Sequence, residues 1–320
     1  MENLEGIYEM KNQTQGSHLN DVLDDLSLLE INSRTNILPQ CGETCNCGGK
    51  CRGEGKAESE ASSKNPSYVY ALGRIEPRFP SLAIEKEFAQ AIGRSETAGL
   101  TDRQALQSLL SKREYRYLVR QICWVLNIEG METYILQPRD PLDFDLLVES
   151  LYVKSDLTAV DVVIGIQGPI APPEMFNGLM LPTLFFDQIY SFDVETLIKS
   201  IPRPEKIPSD KFEALGEELF MKIIGMTDNA GSMDEYRALN YLSVRYPAIY
   251  AQASDYYRRD CALTSVEARL SKLSGVRKII EVIFSYTNRN TDFTEKTFVR
   301  VDVTEEFPFL VTKLSPYYDR

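Results

Sequence analysis

Between Val266 and Val303 apolar side chains keep to every second position: Val266, Ala268 and Leu270, then Ile280, Val282, Phe284 and Tyr286, then Val299, Val301 and Val303. Successive residues of a strand point to opposite faces, so this period predicts strands with one face buried and one wet. The polar run Asn288-Arg-Asn-Thr-Asp292 joins two of them as a hairpin loop, and Phe309-Leu-Val-Thr-Lys-Leu314 adds a fourth strand. Before this stretch the period is helical: residues 209–224, 234–246 and 247–258 carry apolar side chains at three- and four-residue steps. Helices and strands in mixture, with an antiparallel sheet formed by the C-terminal strands, make the expected class α+β.

Further upstream, Tyr68 to Ile75 reads as a strand, with a turn at Pro77 to Pro80 and a helix opened by Ser81 and carried by Leu82, Ile84, Phe88 and Ile92. Thr101-Asp-Arg-Gln104 is a capping box for a second helix whose buried stripe is Leu106, Leu109 and Leu110. Arg120 to Asn127 is apolar and fits either helix or strand. Thr133 to Leu136 reads as a strand, and Asp140 with Pro141 opens a helix with Leu142, Leu146, Leu147 and Leu151 on one face. Val160 to Ile166 and Pro182 to Ile189 are strands joined by a proline-rich loop, and Gly165-Ile-Gln-Gly168 reads as a tight turn. Ile201 to Pro208 holds three prolines in eight residues, which neither a helix nor a central strand accepts, so it is the best internal boundary.

Residues 1–66 are of another kind, rich in Gly, Ser, Asn and Thr, with eleven acidic against six basic side chains. They read as a mostly disordered tail and linker, relieved by one amphipathic stretch at Leu19, Val22, Leu23, Leu26 and Leu29. The organisation expected is therefore a tail over 1–66 and two parts of one body, 67–205 and 206–320. A net charge of −12 repels phosphate backbones, so nucleic acid is not an expected partner. No apolar run is long enough to span a membrane, and the acidic start lacks the pattern of a secretory signal, so the cytoplasm is the expected location.

The one histidine, His18, falls in the tail, so neither a Ser-His-Asp nor a Cys-His arrangement can be assembled in the body. Carboxylate, Tyr and Lys chemistry remains open. The densest cluster of charge lies at the first strand-turn-helix corner, where Arg74, Glu76, Arg78, Glu85, Lys86 and Glu87 fall close together. Opposed charges there can clamp a peptide's backbone or termini through charge-assisted hydrogen bonds, or can simply fix the turn as ion pairs. Cys41, Cys45, Cys47 and Cys51 supply four soft ligands, enough to close around one zinc, although their spacing is that of no zinc ribbon and a reduced, cysteine-containing linker is the plainer reading. No other cofactor is expected. Trp124, Tyr256, Tyr257, Tyr317 and Tyr318 serve either packing or a peptide-binding face.

The string Ser67-Tyr-Val-Tyr-Ala-Leu-Gly-Arg-Ile-Glu-Pro-Arg-Phe-Pro-Ser-Leu-Ala-Ile-Glu-Lys-Glu-Phe-Ala-Gln90 resembles the start of the domain of unknown function at the C-termini of cyanobactin maturation proteases of the PatA and PatG type. The likeness continues through Phe298-Val-Arg-Val-Asp-Val-Thr-Glu-Glu-Phe-Pro-Phe309 and Lys313-Leu-Ser-Pro-Tyr-Tyr318. In that family the domain follows a subtilisin-like protease, no part of which is recognised in these 320 residues. The resemblance implies an accessory, non-catalytic module of a cyanobactin-type peptide pathway that binds the precursor peptide or a maturation enzyme; a peptide-modifying enzyme of the same pathway is the alternative. It brings no catalytic residue and no oligomeric state. Asn36-Ile-Leu-Pro-Gln40 is similar to a string near the start of precursor leaders, so the tail could occupy a leader-binding partner.

Overall fold

A computed structural model of the protein describes residues 66–93, 100–152, 158–203 and 207–318. His18, the amphipathic stretch at Leu19 to Leu29, the leader-like string and the four clustered cysteines lie outside these residues. Within them the chain is α+β, with eight α-helices and nine strands.

Five strands form a closed barrel in the order β1-β2-β3-β5-β4: β1 (Tyr68–Arg78), β2 (Cys123–Ile128), β3 (Met131–Pro138), β4 (Ala159–Ile170) and β5 (Pro182–Asp193). Neighbours run antiparallel except β3 and β5, which are parallel. The barrel is absent from the sequence reading, because its closure depends on pairings that no local period reveals. Strand β1 does two jobs in succession: Tyr68 to Gly73 pair with β4, and Arg74 to Arg78 pair with β2. Past Gly73 only one side of β1 is paired, and there Pro77, expected to turn the chain, stays in the strand.

Four helices cluster beside the barrel: α1 (Leu82–Gly93), α2 (Asp102–Leu110), α3 (Arg116–Gln121) and α4 (Phe144–Glu149). The ambiguous run after Arg120 divides, its first residues ending α3 and the rest forming β2. The expected Thr101 capping box closes reciprocally with Gln104. Leu142 does not join the buried face assigned to it; it sits on a short 3-10 turn, 79% exposed, before α4 begins. One face of every barrel strand, including Val69, Ile75, Trp124, Leu136, Val163 and Phe186, forms a single buried cluster with Phe88, Leu106, Leu118 and Leu147 of the helices. Since all five strands contribute, this cluster is the barrel's interior. Trp124 belongs to it, its indole N–H donating to the Val119 carbonyl at 2.9 Å, so it packs and does not form a binding face.

The outer side of β1 and β4 packs against a second core. Here lie α5 (Val194–Ser200), α6 (Ser209–Ile224), α7 (Asp234–Arg245) and α8 (Ala248–Arg258), followed by a four-stranded antiparallel sheet: β6 (Cys261–Leu270), β7 (Ile279–Asn288), β8 (Thr294–Asp302) and β9 (Phe309–Tyr317). This sheet is the one its alternating pattern predicts, with Ile280, Val282, Phe284, Tyr286, Val299, Val301 and Val303 turned to the helices. Ile201 and Ile207 are buried in the same core, together with Tyr70 and Ile164 from before them and Phe212 and Leu239 from after. The proline-rich segment thus divides the chain but not the core.

A polar seam ties the barrel to the loop after β8. The guanidinium of Arg237, 1% exposed, donates to the carbonyls of Val303, Glu305 and Glu306 and to Asp234, beneath the ring of Tyr68. Beside it Glu306 meets Asp187 of β5 and Arg139, with Arg139 Nη1 2.7 Å from Asp187 and 3.6 Å from Glu306. Burial first, and then the Asp187 carboxylate, push the Glu306 carboxyl up to about 8.

Candidate functional site

Where β1 leaves β4 and runs on to Arg78, its end faces α1 and α2 across a cleft of about 640 Å³. Phe79, Phe88, Ile92 and Leu106 give the cleft apolar surface, while Arg74, Glu76 and Arg78 come from the strand. From α1 comes Glu85, and from the capped start of α2 come Asp102 and Arg103. Three arginines and three carboxylates therefore converge there.

Of the six charged residues expected at this corner, Arg74, Glu76, Arg78 and Glu85 come together at the cleft, and Lys86 and Glu87 do not. A helix turns about 100° per residue, so Glu85, Phe88, Ala89 and Ile92 share one face of α1 while Glu87 points elsewhere, accepting a hydrogen bond from the Tyr117 hydroxyl. Arg78 is engaged by two carboxylates, Nε to Glu132 at 2.7 Å and Nη2 to Glu76 at 3.1 Å. Its side chain is 46% exposed, so these pairs set its direction more than they add stability.

Behind the cleft lies a buried polar group that the sequence reading passed over. Asp161 of β4, 2% exposed, accepts the Ile75 N–H at 2.6 Å and the Ser191 hydroxyl. It satisfies a β1 amide just past the point where the β4 ladder stops. Burial raises the Asp161 carboxyl; the two hydrogen bonds and the positive charges of Arg103 and Arg74 oppose that rise. Arg103 in turn donates to the carbonyls of Ile75 at 3.1 Å and Ser150 at 2.9 Å, fixing α2 against the strand. The signal for Asp161 was present, a lone carboxylate inside an apolar run. Arg103 was hidden within the capping box, where the cap alone explained the residue order.

Among the described residues no group of three or more His, Cys, Asp or Glu side chains could hold a metal ion. Burial pushes the Cys123 thiol up to about 12, which keeps it protonated and a poor nucleophile. The expected tight turn at Gly165 to Gly168 is instead part of β4, where glycine lets β5 approach: a Cβ on Gly165 would stand 2.2 Å from the Phe185 carbonyl oxygen. Of the tyrosines, Tyr256 stacks on Tyr286 at 4.0 Å as packing, whereas Tyr317 and Tyr318 edge a separate hollow on the C-terminal sheet.

A family model described as the PatG Domain matches residues 68–269, from the start of β1 almost to the end of β6. A solved structure described as a PatG Domain of Unknown Function is similar with a TM-score of 0.63 and 17% sequence identity, over 79% of this chain and 99% of that one. At that identity the likeness concerns the fold. No curated protein matches the chain.

Proposed function

The chain belongs to the PatG domain family, and on that premise we propose that it is a non-catalytic recognition module of cyanobactin-type peptide maturation, holding a segment of the precursor peptide in the cleft between β1, α1 and α2. The observation that carries this reading is the cleft's make-up: apolar surface from Phe79, Phe88, Ile92 and Leu106 beside charges of both signs. An extended peptide has the matching parts, since apolar side chains can enter the hollow while backbone and termini meet guanidinium and carboxylate groups. The size suits a few residues.

The reading is tested by titrating a labelled precursor peptide against the full chain and against the Arg78→Gln and Glu85→Gln variants, whose side chains are largely surface groups. Binding should weaken at least fivefold in each. Unchanged affinity in both would remove the cleft from the account. Incubation of precursor with the protein should leave its mass unaltered; a mass change would favour the peptide-modifying alternative. A maturation enzyme that binds the chain equally well with and without these substitutions would place the partner elsewhere on the surface.

A further inference from the structure

The face of the C-terminal sheet turned away from the core has an ordered arrangement of its own. Arg269, Glu281 and Arg300 stand directly opposite one another on β6, β7 and β8. Glu281, whose side chain is only 9% exposed, takes Arg269 Nη2 on one oxygen at 3.2 Å, and Nη2 and Nε of Arg300 on the other at 2.8 and 3.1 Å. Each guanidinium also lies against an aromatic ring, Arg269 at 5.3 Å from the Tyr317 centroid and Arg300 at 4.6 Å from that of Phe298. The Tyr317 hydroxyl accepts from Arg269 as well. Two arginines are thus oriented by a carboxylate between them and stacked from the side, which fixes the direction of their remaining N–H groups.

Among the described residues these groups line a hollow of about 430 Å³ built from the strands, the turn after β6 and Tyr318. One carboxylate between two guanidiniums leaves a positive charge uncompensated, and exposed Lys272 on the rim adds another. Within a chain of net charge −12 this is a local positive site. Arg269 Nη1 and Arg300 Nη1 have no hydrogen-bond partner among the described residues. Phe298, Pro316 and Tyr317 supply apolar surface next to them.

We propose that this hollow binds a peptide carboxylate, either a free C-terminal carboxylate or an Asp or Glu side chain, with an apolar residue seated beside it. Guanidinium forks match a carboxylate's two oxygens, and the aromatic surface matches a neighbouring apolar side chain. A nucleic acid fits poorly, because a polyanion long enough to gain from several phosphates would meet the acidic remainder of the chain. The site is separate from the barrel cleft and does not depend on what that cleft binds.

The test uses the full chain and fluorescence anisotropy with three labelled hexapeptides of one apolar sequence. One ends in Leu-Phe with a free carboxylate, one is the same peptide amidated, and one is amidated with an internal Glu before Leu. The first or the third, or both, should bind at least tenfold more tightly than the neutral amide, and which of them does so identifies the source of the carboxylate. The double variant Arg269→Gln with Lys272→Glu should abolish that tenfold preference while leaving the thermal unfolding transition cooperative, since both residues are exposed and Arg300 keeps Glu281 paired. Arg300→Gln should also abolish it, but as a partly buried change it serves only as a second reading. Equal binding of all three peptides, a preference that survives the double variant, or inorganic phosphate displacing the probe at lower concentration than acetate would each overturn the proposal.

Discussion

In the C-terminal sheet every strand pairs with its neighbour in sequence, β6 with β7, β7 with β8 and β8 with β9, whereas the barrel sets Tyr68 of β1 opposite Ile166 of β4 and runs β3 parallel to β5. The sheet's register needs little beyond hairpin connection and alternating burial, which agree with each other. The barrel must bring distant strands together, and at the place where β1 passes from β4 to β2 the backbone ladder is incomplete. There the Asp161 side chain stands in for it, and there the cleft opens. Closure of the barrel and construction of the candidate site are therefore one problem with shared residues. In the sheet the charged row of Arg269, Glu281 and Arg300 is laid on continuous pairing across β6, β7 and β8, and only on the β9 side, where the register shifts at Arg300, does a side chain, the Thr312 hydroxyl, accept a strand amide.

The largest test of this contrast is Asp161→Ala. It removes the acceptor for the buried Ile75 amide and for the Ser191 hydroxyl, and with it the carboxyl on which the charges of Arg103 and Arg74 act. A buried donor left without its acceptor costs about 1–3 kcal/mol, so with two of them urea unfolding should show a loss of about 2–5 kcal/mol. A loss below about 1 kcal/mol would mean that the barrel is closed at this crossing by its backbone and packing alone.

Next comes Gly165→Ala, at the shift of register between β4 and β5. The new Cβ would lie 2.2 Å from the Phe185 carbonyl oxygen and 2.6 Å from Phe186 Cα, both backbone atoms, so one strand has to move. Overpacking of this kind destabilises by about 1–3 kcal/mol. Gly275, in the turn before β7, has nothing within 4 Å of an added Cβ, and Gly275→Ala should stay within about 0.5 kcal/mol of the parent. Equal effects at the two glycines would erase the distinction between a strand crossing that needs close approach and a turn that does not.

The seam between barrel and sheet gives a pH test. Glu306 is pushed up to about 8 from its ordinary 4.5, by burial and then by Asp187. Between those values the folded chain holds a proton that the unfolded chain has released, so stability is greatest at the acid end of the window and falls as pH rises through it. From pH 5 to pH 8.5 stability should decline, by up to about 4 kcal/mol if the whole rise is expressed, and Glu306→Gln should flatten the decline. Asp193 and Asp302, whose carboxyls are held below 3.8, lose their contributions only at lower pH, whereas Asp161, raised by burial, acts in the same direction as Glu306, so the decisive comparison is between the parent and Glu306→Gln. A slope that persists unchanged in the Gln variant would take Glu306 out of the seam's energetics.

What the sequence reveals follows the same division. Helices α6, α7 and α8 and strands β6 to β9 could be located because period, turn residues and pairing order are all local. The capping box at Thr101 was likewise self-contained. The barrel was not legible, since nothing near Tyr68 announces that Ile166 lies opposite, and β2 is an apolar run whose residues suit either kind of element. At the cleft, Arg74, Glu76, Arg78 and Glu85 were found because a strand end and the first turn of the following helix are neighbours in sequence. Glu87 was included by proximity along the chain, which a helical face does not respect. Arg103 and Asp161 required knowledge of which strand ends beside which helix, and only the fold supplies that.

The smallest effect belongs to the sheet's hydroxyl row, where Thr264 and Thr287 share a hydrogen bond at 3.0 Å and Thr287 and Thr294 one at 2.9 Å across three adjacent strands. Thr287→Val keeps the branched shape that suits a strand and removes only the hydroxyl, so the substitution isolates the cross-strand bonds from packing. Such pairs contribute about 0.2–1 kcal/mol each, and water can replace them at an exposed site; thermal unfolding should therefore show a loss under about 1 kcal/mol. The backbone ladder between β7 and β8 continues from Ile279 to Thr287 without a break, which is why a missing side-chain bond should matter so little here. A loss approaching that of Asp161→Ala would show that β7 and β8 too rely on side chains to hold their register, and that their unbroken ladder is not what sets them apart from the barrel.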